Sequence, residues 1–83
     1  MLLTMRYFAS IREAIGVGSE PCQTDAVDLS ALRDELISRN PAYAQALARG
    51  RAVRMAMNQV MCQESMVLID GAEVAFFPPV TGG

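Results

Sequence analysis

The stretch Asp70-Gly71-Ala72-Glu73-Val74-Ala75-Phe76-Phe77-Pro78-Pro79-Val80-Thr81-Gly82-Gly83 carries more structural information than any other part of the chain. Asp-Gly is a strong turn signal, because Gly71 accepts a left-handed backbone that other residues resist. The apolar, Val- and Phe-containing residues that follow predict a strand over 73–77. Pro78-Pro79 must end that strand, since neither proline has an N–H to donate to a ladder. Consecutive strand residues face opposite sides, so only one of Phe76 and Phe77 can point into a core. Alternation alone leaves open which of the two it is. The diproline sets a stiff, extended exit, and Val80, Thr81, Gly82 and Gly83 have no pattern that would pack. Residues 1–79 are therefore read as the folded domain and 80–83 as a flexible tail, narrow enough at its glycines to thread a tight channel.

Working outward from that strand, residues 53–61 keep a two-residue period. Val53, Met55 and Met57 alternate with Arg54, Ala56 and Asn58, and Asn58-Gln59 offers a turn into Val60-Met61-Cys62. At the other end of the chain, residues 2–8 read as a first strand with Leu3, Met5 and Tyr7 on one side and Leu2, Thr4, Arg6 and Phe8 on the other. That alternation predicts a sheet with one covered face. Ser10 is a candidate cap for a short helix over 11–15, ended by Gly16, and residues 19–24 are a weak strand that Pro21 confines to an edge. Asp28 introduces the main helix, in which Leu29, Leu32, Leu36 and Ile37 form one apolar stripe and Arg33, Asp34 and Arg39 are left to water. Asn40-Pro41 then starts a second short helix, with Asn as cap and Gly50 as its end.

With 83 residues and 52% hydrophobic content, the chain suffices for one small α+β core and not for a substrate site enclosed within it. A surface or terminus used by a larger partner is the better expectation. The net charge of −2, with no basic cluster beyond Arg49, Arg51 and Arg54, argues against nucleic acid as a partner. No apolar run approaches the ~20 residues of a membrane span, and no secretory signal is recognisable, so a cytoplasmic location is expected. The chain has no histidine, and all seven basic residues are arginine. Ser-His and Cys-His nucleophiles, histidine-bound metals and lysine Schiff bases are thereby excluded within it. Cys22 and Cys62 lie far apart and form no zinc motif; both read as small buried hydrophobes. No metal and no bound cofactor are expected.

Together with the opening Met5-Arg6-Tyr7-Phe8-Ala9-Ser10-Ile11-Arg12-Glu13 and the middle Ala56-Met57-Asn58-Gln59, the terminal stretch resembles the molybdopterin synthase small-subunit (MoaD) family over essentially the whole chain. The resemblance implies a β-grasp, ubiquitin-like fold: a mixed sheet with one main helix packed across it and a Gly-Gly tail. It also implies a sulfur carrier. An E1-like adenylyltransferase would use ATP to adenylate Gly83, a sulfur donor protein would convert the adenylate to a thiocarboxylate, and Gly83, with Gly82 behind it, would deliver sulfur to cyclic pyranopterin monophosphate in the large synthase subunit, within a heterotetramer. The resemblance places Phe8, Met61 and Phe77, followed by Pro78, Pro79, Val80 and Thr81, against these partners, which leaves Phe76 as the phenylalanine expected beneath the helix. Such a chain is not a catalyst alone, and proton transfer and phosphate binding fall to the large subunit, in keeping with the missing His and Lys. Two rivals share a terminal Gly-Gly. A thiamine-type sulfur carrier usually lacks the Phe-Phe-Pro-Pro approach, and a ubiquitin-like protein modifier would join its terminus to lysines of other proteins.

Overall fold

Alternation in the opening residues becomes β1 (Leu2–Tyr7), with Leu3, Met5 and Tyr7 buried and Leu2 and Thr4 exposed. The computed structural model describes residues 1–79; the loose tail expected over 80–83 lies outside the described residues. After β1 come α1 (Ala9–Ile15), β2 (Ser19–Gln23), α2 (Leu29–Arg39), α3 (Pro41–Leu47), β3 (Arg54–Met57), β4 (Val60–Cys62) and β5 (Glu73–Phe77). The strands form one sheet in the order β2-β1-β5-β3-β4. β1 and β5, the first and last strands, lie side by side in parallel at its centre, and every other pairing is antiparallel. β2 is an edge strand, where Pro21 can lack an N–H without breaking a central ladder.

One face of this sheet is covered. Leu29, Leu32 and Leu36 of α2, Tyr43 and Leu47 of α3 and Ile11 of α1 pack with Leu3, Met5, Tyr7, Met55, Met57, Val74 and Phe76. The stripe at spacings of three and four on α2 is thus the part of the helix that meets the sheet. A small polar group sits within the same layer: the hydroxyls of Tyr7 and Tyr43 donate to Glu20 Oε2 at 2.7 and 2.6 Å. Burial, reinforced by the Glu20 carboxylate, raises the pKa of both hydroxyls, so they remain donors.

The punctuation read from the sequence largely appears as anticipated. Asp28 accepts from the Ala31 N–H at 2.8 Å to cap α2, and Asn40 accepts from the N–H groups of Ala42 and Tyr43 to cap α3. Gly16 ends α1 at φ 98°, and Gly71 turns at φ 84°. Asn58 and Gln59 both take positive φ, the backbone twist that joins antiparallel strands through two residues.

Three expectations are corrected. α1 starts at Ala9 behind an extended Phe8 whose carbonyl accepts from Ile11 and Arg12, so Ser10 is inside the helix and caps nothing. α3 ends at Leu47, before Gly50. The third correction lies beside that end: Arg33, assigned to water, is buried at 5% exposure. Its guanidinium donates to the carbonyls of Leu47 and Ala48 at 2.8 Å and of Arg51 at 3.1 Å, satisfying the terminal acceptors of α3 that a continued helix would have used. Glu64 pairs with it at 3.1 Å and also with Arg49.

Candidate functional site: the uncovered sheet face and the exit of the chain

With helices on one face, the other face of the sheet presents whatever the opposite strand positions carry. The ladder registers place those side chains in two rows. Arg6, Ala75, Ala56 and Met61 form one row across β1, β5, β3 and β4, because Arg6 pairs with Ala75, Ala75 with Ala56, and Ala56 with Met61. Phe77 opposite Arg54 begins the next row, and Phe8, one residue beyond the Tyr7–Phe76 pair, completes it. Two small alanines therefore lie between the larger side chains of Arg6 and Met61.

Phe8 and Phe77 meet edge to face with ring centroids 6.4 Å apart. Arg6 stacks its guanidinium 5.5 Å from the Phe8 ring centroid and pairs loosely with Glu73 at 3.6 Å. Phe8 is 40% and Met61 54% exposed, while Phe77 is half-buried and Phe76, on the reverse side, fully buried. The assignment of the two phenylalanines to opposite sides therefore holds. Sequence reasoning named the aromatics and Met61 but missed Arg6, Arg54, Ala56 and Ala75; the register could have supplied them once β3 was known to lie beside β5.

Position matters as much as composition. The Phe8 N–H donates to the Phe76 carbonyl at 3.2 Å, and directly afterwards Phe77 ends β5 and Pro78-Pro79 leave the sheet. A partner gripping the aromatic pair is thus at the root of the exit. Phe8, Phe77, Pro78 and Pro79 are brought together by this arrangement, with Met61 on the same face two strands from Phe77; Val80, Thr81, Gly82 and Gly83 lie outside the described residues.

Neither cysteine competes as a reactive centre. Cys22 is buried, and Cys62 is half-buried with its thiol pKa pushed up by desolvation, the reverse of what an activated thiolate requires. Among the described residues there is no group of three or more His, Cys, Asp or Glu side chains placed to hold a metal, and no helix is long and apolar enough to cross a membrane.

A mixed five-stranded sheet with its first and last strands paired in parallel at the centre, helices on one face and an apolar opposite face beside the chain exit, defines a β-grasp domain of the ubiquitin-like class. The crystal structure of SAMP1 from Haloferax volcanii shares that fold, with a TM-score of 0.78 at 22% identity and complete coverage of both chains. The ThiS family model matches residues 5–83. A molybdopterin synthase sulfur carrier subunit of Haemophilus influenzae is 37% identical over 82 residues, covering 99% of this chain and 100% of that one. The chain belongs to the ThiS family and, within it, to the molybdopterin synthase sulfur carrier subunits. A complex of subunits 1 and 2 of the molybdopterin-converting factor from Helicobacter pylori contains a chain that is 26% identical with complete mutual coverage and a TM-score of 0.68.

Proposed function

We propose that the chain carries sulfur on the C-terminal carboxyl of Gly83 and delivers it to cyclic pyranopterin monophosphate held by a large synthase subunit in the cytoplasm. A carboxylate is a poor electrophile. An E1-like enzyme would first join it to AMP from ATP with loss of pyrophosphate, and sulfur from a donor protein would then displace AMP to leave a thiocarboxylate. The chain binds no cofactor in this scheme; ATP belongs to the activating enzyme. Its own residues do two things: they dock, and they aim the exit. Phe8, Phe77 and Met61 supply the apolar docking contacts, Pro78-Pro79 direct the chain away from the sheet, and Val80, Thr81 and Gly82 would lead Gly83 into the partner.

The observation that carries this reading is the Phe8–Phe77 pair on the uncovered face at the root of the diproline exit, in a chain whose whole length matches sulfur carrier subunits. Apolar rings exposed at one spot near a functional terminus are what a partner-binding surface requires and what a solitary domain would bury. The test is intact-protein mass spectrometry on material from cells with an active loading system. Exchange of one oxygen for sulfur, localised by fragmentation to Gly83, is the expected result. Sulfur found only on Cys22 or Cys62 would replace the thiocarboxylate by a persulfide and end this reading.

A further inference from the structure

Beyond the apolar face lies a second surface that continues it around the edge of the sheet. A groove of about 510 Å³ lies beside β3 and β4, with Arg33, Arg51, Arg54, Met61, Cys62 and Glu64 among its lining residues. Met61 and Arg54 belong to both surfaces, so whatever docks on the face reaches the groove without a gap.

Its charge is one-sided although the whole chain is acidic, at −2. Glu64, the only carboxylate in the lining, is taken up by Arg33 and Arg49. Arg51 and Arg54 are exposed, and neither is ion-paired to a carboxylate among the described residues. The main chain is also available. β4 is an edge strand, and the Met57–Val60 pair that closes its two-residue turn exchanges hydrogen bonds with β3, as does the Met55–Cys62 pair two residues on. Alternation then turns the N–H and C=O of Met61, between them, away from β3 and toward the open edge of the sheet, while Met61 itself also lines the groove. An unpaired edge at Met61, in a strand whose groove also carries two arginines without carboxylate partners, fits an extended chain that brings carboxylates.

We propose that this groove takes an extended acidic segment of the large synthase subunit, which pairs with the Met61 main chain and sets carboxylates against Arg51 and Arg54. The proposal rests on the carrier reading above and adds a second, electrostatic contact to it. Charges at the margin of an interface act chiefly on association rate and salt dependence, so the groove and the apolar face leave different signatures.

The experiment measures association of the full chain with its cognate large subunit at low and high salt. The double variant Arg51→Glu/Arg54→Glu is expected to bind about tenfold more weakly at low salt, mostly through slower association, with the gap closing at high salt. Arg51→Lys/Arg54→Lys should keep most of the affinity, and hydrogen exchange at the Met61 amide should slow in the wild-type complex. Phe77→Ala should weaken binding at both salt concentrations. If the reversed variant binds like wild type while Phe77→Ala does not, the groove proposal fails and the docking face stands; if Phe77→Ala also binds like wild type, the docking reading itself fails. Loss of binding to the activating enzyme alone, or an unprotected Met61 amide in the complex, would likewise overturn the groove assignment.

Discussion

Phe76 and Phe77 are the same side chain at adjacent positions, and the pleat of β5 sends one into the core and the other to the uncovered face. Their removal should therefore read out differently. Phe76→Ala empties a fully buried site, for which about 3–5 kcal/mol of stability is typically lost. Phe77→Ala removes a half-buried ring that touches Phe8, so its stability cost should stay near about 1 kcal/mol, with the main effect on partner binding. Urea unfolding of the two variants, beside a titration with the large subunit, separates them. Equal destabilisation would put Phe77 in the core and remove it from the docking surface. That the two face opposite sides was legible without coordinates, because successive strand residues alternate; that Phe77 is the outer one came from the family resemblance.

At the scale of elements, the caps Asp28 and Asn40 were readable because their partners lie within three positions. Arg33 was not. Its place beside the apolar stripe of α2 looks like the edge of a solvated face, and the carbonyls it serves are 14 to 18 positions away, at the end of α3 and in the following loop. Nothing local announces such a contact. The consequence is testable: Arg33→Leu removes the guanidinium's bonds to those carbonyls and leaves Glu64 with Arg49 alone, and should destabilise the domain by about 2–4 kcal/mol. Arg49→Ala breaks exposed pairs with Asp34 and Glu64, and should cost no more than about 1 kcal/mol. Chemical denaturation with unchanged slope measures both; a cost for Arg33→Leu no greater than for Arg49→Ala would reduce the network to a surface ornament.

For the whole molecule, the sheet order decides how the terminus is presented. β5 lies between β1 and β3, so the chain leaves from the middle of the sheet, next to the aromatic pair, and not from an edge. The hydrophobic core is complete with Phe76, before the exit begins. Gly82→Val should therefore leave the melting temperature where it was. A branched side chain near the reactive end restricts the backbone and widens a segment meant to enter a partner's channel, so sulfur loading and molybdopterin formation should fall on the order of 100-fold. The assay pairs the variant with the activating enzyme, and separately with purified large subunit and the pyranopterin precursor. Wild-type rates in both would mean that the terminus is not the reactive element.

The α+β class, the approximate strand and helix positions, the caps Asp28 and Asn40, the opposed faces of Phe76 and Phe77 and the end of β5 follow from the sequence by itself. These depend on alternation, helical spacing, turn chemistry and proline, which act over a few residues. Tertiary structure alone decided that Arg33 is buried, that α3 stops at Leu47, that two alanines lie between Arg6 and Met61 on the uncovered face, and that Arg51 and Arg54 share a groove with the edge strand β4. Each of those depends on which distant strand or helix becomes a neighbour, and strand order is set by burial of the entire apolar surface at once, a sum that no local window of sequence contains.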